Sequence, residues 1–459
     1  MKYFPVYLLF VLLVSCSKST PTAVVVPPVI IPPVVDSTYI QHGTPFAYMP
    51  DSRDVTIYQV NMRVFNPGTF QSVISRLDSI KALGVNVIYL MPVYPVGQLK
   101  AFNSPYCVRN CRAVNTEFGS LQDMKGLVDA AHNKNMAVII DWVANHTSWD
   151  NSWISNKAWY LQDGSGNIVS PPGMGWSDVA QLDFTNTDMR LAMINAMRYW
   201  VYNANIDGFR CDYADGPPAD FWKQAIDTLR NIKTHKFLML AEGSRSSNYS
   251  AGFDYNFGFN FFSTLKTIYS SNTSVLSIDN LNNTEYTSAT GNQQVVRYTS
   301  NHDVDGSDGT PLQLFGGKDG SLASFVVVAY MKSVPMIYTG QEVGTAAKFT
   351  FPFTETKVDW TINPDVTAAY KKIIAFRNNS AAIRQGQLTS YSTADVCAFT
   401  KVLGSDSVLV LVNLRNKVIN YTLPAAIANS NWTDAYNATA IALTSQVSLQ
   451  PYIYMVMKK

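Results

Sequence analysis

The chain has 459 residues and a formal net charge of +2, and only 15% of its residues are charged. That balance argues against a polyanion as ligand, and no cluster of Lys and Arg marks a nucleic-acid interface. Hydrophobic residues make up 47%, and 25 Tyr, 23 Phe and 9 Trp supply rings that suit a neutral, ring-shaped ligand.

In chain order, Lys2 precedes an apolar run from Tyr3 to Val14. The run is short and close to the start, which fits a secretion signal better than a membrane span. It ends in Leu13-Val14-Ser15-Cys16, which resembles the bacterial lipoprotein signal, whose cysteine becomes the acylated first residue. The resemblance implies a signal peptide over 1–15, lipidation at Cys16, and attachment to a membrane without a span. Ser17, where an Asp would resemble the inner-membrane retention signal, implies the outer membrane of a Gram-negative bacterium, on its cell-surface or periplasmic face. Over 16–37 the paired prolines of Val-Pro-Pro-Val-Ile-Ile-Pro-Pro-Val-Val favour an extended tether. About 420 residues remain, enough for one large domain and a small one.

A strand–helix rhythm starts near Val55, with a strand over 55–60. Phe70, Val73, Ile74, Leu77 and Ile80 recur at helical spacing, and Gly84 ends that helix. Strands follow at 85–90 and 137–141, with a helix at 121–133 between them. Their near-continuous apolar runs predict a parallel sheet covered by helices. The segment 147–185, with Trp149, Trp153, Trp159 and Trp176, breaks the rhythm and reads as a functional insertion. The rhythm resumes with a helix at 188–203, a strand running into Asp212, a helix at 218–231 and a strand at 236–242. A less regular unit covers 252–273. Strands at 295–300 and 334–338 and a closing helix at 368–376 complete eight units. The predicted fold is therefore a (β/α)8 TIM barrel over 38–384, interrupted after its third strand, followed by a C-terminal antiparallel β-sandwich over 385–459. Cys107 and Cys111 are near enough in sequence to bridge outside the cytoplasm, a pairing left open by sequence; Cys211 and Cys397 read as packing residues. No metal-type Cys/His spacing occurs.

In such a barrel chemistry sits at the C-terminal strand ends. Asp141 ends the third strand, with Asn145-His146 beyond it. Arg210 and Asp212 end the fourth, Glu242 the fifth, and Asn301-His302-Asp303 follows the seventh. Arg210, two residues from Asp212, is expected to hold it ionised as a nucleophile, while Glu242 in a crowd of carboxylates keeps a proton to donate. That pair is the equipment for breaking a glycosidic bond with retention. Asp303, His146 and His302 could hold sugar hydroxyls.

These segments together resemble the α-amylase family of glycoside hydrolases (glycoside hydrolase family 13). Asp141-Trp142-Val143-Ala144-Asn145-His146, Gly208-Phe209-Arg210-Cys211-Asp212, Glu242 and Ser300-Asn301-His302-Asp303 resemble its four conserved regions, and Asn103-Ser104-Pro105-Tyr106 its sugar-stacking segment. The resemblance implies a double-displacement enzyme with Asp212 as nucleophile, Glu242 as acid/base and Asp303 as transition-state stabiliser. Tyr106, His146, Arg210 and His302 would line the same subsite. It further implies endo-hydrolysis of α-1,4-glucosidic bonds in starch-like polysaccharides and maltooligosaccharides. The alternatives are a neopullulanase- or cyclomaltodextrinase-like or glucan-transferring enzyme, and more remotely a non-catalytic glucan-binding lipoprotein. Membrane attachment would bring glucan-uptake partners within reach. No cofactor is needed for the chemistry. A structural calcium is the one metal the resemblance admits, with Asn145 and the Gly216 backbone as ligands. Two departures bear on this. Asp215 and Gly216 replace the Lys and His that often follow the nucleophile, and Gln181 stands where the family often has a liganding Asp.

Overall fold

The computed structural model describes residues 39–459; the signal, Cys16 and the tether expected before them lie outside the described residues. Within that range, eight parallel strands close into a barrel: β1 (Ile57–Val60), β2 (Val87–Leu90), β3 (Ala137–Trp142), β6 (Gly208–Cys211), β7 (Leu238–Ala241), β8 (Tyr255–Phe257), β9 (Gln294–Tyr298) and β10 (Val334–Tyr338). The ring runs β1-β10-β9-β8-β7-β6-β3-β2 and closes where Ile57 pairs with both Met336 and Val87. Every residue of β1, β2, β3, β6 and β7 is buried. Their aliphatic runs therefore follow from having no wet face.

The helices outside the ring begin and end where side chains satisfy their free backbone groups. Thr69 accepts from the Ser72 amide to start the helix Phe70–Ala82, and Ser120 and Asp123 form a reciprocal capping box at Leu121–His132. Each buries an apolar stripe, Phe70, Val73, Leu77 and Ile80 in the first and Met124, Leu127, Val128 and Ala131 in the second. The helix Gly317–Tyr330, between β9 and β10, is different: almost all of it from Gly320 onward is buried, so it shows no wet face and no amphipathic period. Gly208 opens β6 at φ +150°, where a Cβ would lie 1.9 Å from the Leu238 carbonyl oxygen. Only glycine lets β6 and β7 approach closely enough to pair.

The insertion after β3 holds β4 (His146–Ser148) and β5 (Val179–Gln181), an antiparallel pair in which His146 faces Gln181. Beyond the barrel come β11 (Gln387–Ser390), β12 (Val396–Leu403), β13 (Asp406–Asn413), β14 (Ile419–Thr422), β15 (Ser430–Asp434), β16 (Ala440–Leu443), β17 (Gln446–Leu449) and β18 (Tyr454–Lys458). They make a six-stranded sheet, β11-β12-β13-β18-β15-β16, and a separate β14-β17 pair. Leu409 and Leu411 of β13 join Trp432, Tyr421 and Leu449 in a core of their own, while Val408, Val410 and Val412 on the other face join the barrel core. That alternation shows β13 buried on both faces. Barrel and C-terminal sheets form one compact unit. Cys107, Cys111, Cys211 and Cys397 are all buried free thiols, so the bridge left open between Cys107 and Cys111 is not formed. The Cys107 thiol instead faces the Asp178 carbonyl at 3.2 Å.

Candidate active site

Register places the charged residues. In the parallel ladders Asp141 is level with Arg210, and Arg210 with Leu240. The ladder continues past the strands: the Asp212 amide donates to the Trp142 carbonyl at 2.9 Å, the Glu242 amide to the Cys211 carbonyl at 3.0 Å, and the Ala214 amide back to the Glu242 carbonyl at 2.9 Å. Asp212 and Glu242 thus emerge side by side from the same end of the barrel. Asp303 arrives from β9 on a short helix, His302–Ser307, whose first amides, those of Asp303 and Val304, are capped by Asn301 Oδ1.

At the centre lies Arg210, with no exposed surface. Its Nη1 donates to Asp141 Oδ1 at 2.6 Å and to Asp212 Oδ1 at 3.0 Å, and its Nη2 pairs with Glu242 Oε1. Glu242 Oε2 also accepts from the Tyr213 amide at 2.8 Å. Asp141 is wholly buried and fully used: its Oδ2 accepts from the hydroxyls of Tyr89 at 2.6 Å and Tyr106 at 3.0 Å, and its carbonyl from Tyr94 at 2.7 Å. Tyr106 stacks on the His302 ring and lies 2.7 Å from His302 Nε2, and Gln59 Nε2 meets His302 Nδ1 at 2.8 Å. With Gln59 donating, the imidazole keeps its proton on Nε2, toward Tyr106 and Asp303.

The wall of the cleft, about 440 Å³ in volume, includes Tyr106, His146, Asp212, Glu242, His302 and Asp303. Of the residues expected to touch substrate, Arg210 differs. It lies beneath the wall, because the carboxylates it carries stand between it and the opening. Trp176 and Tyr213 meet edge to face at 5.1 Å on the wall, and the exposed rings of Phe102 and Phe351 stand at the cleft. Asp178, on the same wall, was not legible as a site residue, because nothing in its local sequence distinguishes it from an ordinary loop carboxylate.

The electrostatics correct one expectation. Arg210 was to hold Asp212 ionised, yet the proton affinity of Asp212 is raised well above the ordinary carboxylate range. Burial is the main cause, then the Glu242 charge, with Arg210 opposing. Glu242 and Asp303 are raised as well, each chiefly by burial and each opposed by Arg210. The reason is stoichiometric: one guanidinium is shared among Asp141, Asp212 and Glu242 rather than belonging to Asp212 alone. Buried like charges then hold a proton in common. Burial pushes His146 and His302 down to about 4, so both rings are neutral hydrogen-bonding groups at neutral pH. The site therefore offers a buried carboxyl cluster that retains a proton, with neutral donors and aromatic rings around it.

The calcium reading rests on the oxygens near Asn145. They converge on Gln181, whose Nε2 donates to Asn145 O at 3.1 Å, Asn145 Oδ1 at 3.2 Å and Leu182 O at 3.0 Å. Calcium asks for six to eight oxygens at about 2.3–2.6 Å. An amide nitrogen at the focus of the set does not fit that demand. No group of three or more His, Cys, Asp or Glu side chains placed to hold a metal occurs among the described residues.

The catalytic-domain family of the alpha-amylases matches residues 37–165 and 174–365. Alpha-amylase 2 of Dictyoglomus thermophilum is 25% identical over 405 residues, covering 81% of this chain and 68% of that protein. Among solved structures, a noncanonic maltogenic alpha-amylase from Thermotoga neapolitana superposes with a TM-score of 0.80 at 23% identity, covering 89% of this chain and 99% of the other. An alpha-amylase from Lactobacillus plantarum gives the same TM-score and coverage at 24% identity. At these identities the structural likeness speaks for the fold.

Proposed function

The chain belongs to the alpha-amylase family, and from that premise we propose that it hydrolyses α-1,4-glucosidic bonds of starch-like glucans and maltooligosaccharides with retention, cutting within the chain. The observation that carries this reading is the carboxyl cluster on Arg210. Retaining glycosidases need one carboxyl that is protonated and a second that attacks, about 5–5.5 Å apart. A single guanidinium bridging Asp212 and Glu242 keeps the two close, and shared burial keeps a proton among them.

In this mechanism Glu242 gives its proton to the glycosidic oxygen while Asp212 attacks the anomeric carbon. The C–O bond to the leaving sugar breaks, and a glycosyl ester to Asp212 forms. Glu242, now a carboxylate, takes a proton from water, and the resulting hydroxide opens the ester to release the second sugar and restore Asp212. Asp303, His146 and His302 hold hydroxyls of the ring at the point of cleavage, and Tyr106 lies against it. Asp141 and Arg210 act from below by fixing Tyr106, Asp212 and Glu242.

Viscosity and product lengths, followed together on amylose, test the reading. A rapid viscosity fall with mixed short maltooligosaccharides is expected. A slow fall with one dominant small product would move the assignment to an exo-acting or oligosaccharide-preferring enzyme. No cleavage of amylose, pullulan or cyclodextrin would overturn hydrolysis itself.

The N-terminal sequence supports a lipid anchor at Cys16 on the outer membrane, which would place the enzyme beside glucan-uptake partners. Cys16→Ala should release the protein from membranes; continued membrane association would overturn the anchor. No helix among the described residues is long and apolar enough to cross a membrane.

A further inference from the structure

The loop that carries His146 is held by a pair of amides. Gln181 Oε1 accepts from Asn145 Nδ2 at 3.0 Å while Gln181 Nε2 donates to Asn145 Oδ1 at 3.2 Å, so the two side chains pair head to tail. The same nitrogen reaches two backbone carbonyls, Asn145 O at 3.1 Å and Leu182 O at 3.0 Å. Carbonyls only accept, so they fix which end of the Gln181 amide is nitrogen. The Leu182 amide donates back to Asn145 O at 3.1 Å, and His146 faces Gln181 across the β4–β5 ladder. A third segment closes on this knot. A Cβ at Gly216 would come within 2.9 Å of Asn145 Oδ1 and 2.4 Å of the Tyr213 ring, so the turn after Asp212 is pressed against the same oxygen.

Two stretches of chain thus bring oxygens to one point, the loop after β3 and the end of β5, and the turn after β6 packs against one of those oxygens. Left alone, such a cluster would be repulsive and in need of a positive partner. Asp183, next in sequence to Leu182, turns its Oδ1 to the Thr185 amide and hydroxyl at 2.9 and 2.8 Å.

We propose that the Gln181 amide does the work of a cation here: its two N–H groups are shared among the three converging oxygens, and the chain folds and holds His146 in place without calcium. The clasp is covalently attached, so it costs no ligand-binding entropy and cannot be removed by a chelator. Its nitrogen also excludes a cation from the point where the oxygens meet. Gln181 is in these terms a positioning residue: it fixes Asn145, whose Nδ2 lies 3.3 Å from His146 Nδ1.

The test is thermal unfolding of the purified full-length chain in excess EDTA and in millimolar CaCl2, with calcium titrated by calorimetry. The melting temperature is expected to agree within about 1 °C in the two conditions, with no calcium binding tighter than about 1 mM. A fall in EDTA, or binding tighter than that, would overturn the proposal. Gln181→Glu removes the donors and sets a carboxylate among the oxygens. In EDTA it should melt at least ~3 °C lower than the parent, and calcium should restore part of the loss. An unchanged melting temperature in EDTA would show that the amide holds nothing. Should that variant fail to fold, the measurements on the unsubstituted chain decide alone.

Discussion

The proposed catalytic cleft and the seam between barrel and C-terminal sheet both bury charge, with opposite signs. In the cleft three carboxylates share Arg210, and a fourth, Asp303, stands beside them. At the seam, Lys401 of β12 is 4% exposed and its Nζ donates to the Met331 carbonyl at 3.1 Å, with no carboxylate partner among the described residues. Arg377 beside it is wholly buried and rests on the Arg53 carbonyl at 2.9 Å and the Thr56 hydroxyl at 3.3 Å. Burial, reinforced by Arg377 and Lys332, pushes Lys401 down to about 7, and burial, reinforced by Arg384, pushes Arg377 down to about 10. The same desolvation therefore raises proton affinity in the cleft and lowers it at the seam. What separates the two is use. In the proposed mechanism the retained proton is one a leaving group takes, whereas a proton lost at the seam alters only the stability of the fold.

The largest effect that tests this contrast is Glu242→Gln. It should lower turnover of amylose by at least ~10³-fold while leaving glucan binding and the melting temperature close to the parent's. Turnover within tenfold of the parent would mean that the cleft's excess charge does not serve the chemistry. Next comes Arg210→Met, which strips the shared counter-charge from Asp141, Asp212 and Glu242. Urea unfolding at pH 7 should show a loss of ~3–5 kcal/mol. Where enough folded protein survives, the alkaline limb of kcat/KM should move up in pH, since Arg210 opposes proton retention at all three proposed catalytic carboxyls. The smallest effect is at the seam. Lys401 is lowered from 10.5 to about 7, so between those values the folded state binds fewer protons than the unfolded one, and stability rises with pH. Lys401→Met should therefore be more stable than the parent at pH 7, by up to ~4 kcal/mol, with the gain fading toward pH 10.5. A gain that does not change with pH would show that the seam carries no such penalty.

How much of this was legible in the sequence depended on whether the signal was local. Runs such as Val87–Leu90 and Ala137–Trp142 stand out because both faces of the strand are dry. Asp212, Glu242 and Asp303 stand out because each follows such a run, where a barrel puts its chemistry. The strand Tyr255–Phe257 is three residues long, too short for periodicity to mark. The helix Gly317–Tyr330 carries no periodic signal, because burial on every side erases the alternation that would announce it. Arg210 was read with Asp212 alone because they are neighbours in the chain. Its pairing with Glu242 and Asp141 comes from strand register, which local sequence does not express. The tyrosines at 89 and 94 that saturate Asp141 were hidden for the same reason.

The four buried thiols give the protein an internal clock. Burial holds Cys107 and Cys111 up at about 12, and Cys211 and Cys397 are raised too, so the reactive thiolate is scarce while the fold is closed. A thiol reagent in excess can then label each cysteine only as fast as its surroundings open. Cys107 and Cys111 time the segment after β2, Cys211 the strand beneath the cleft, and Cys397 the C-terminal sheet. Labelling rates resolved by peptide would rank these regions by how often each breathes, without any probe being engineered in.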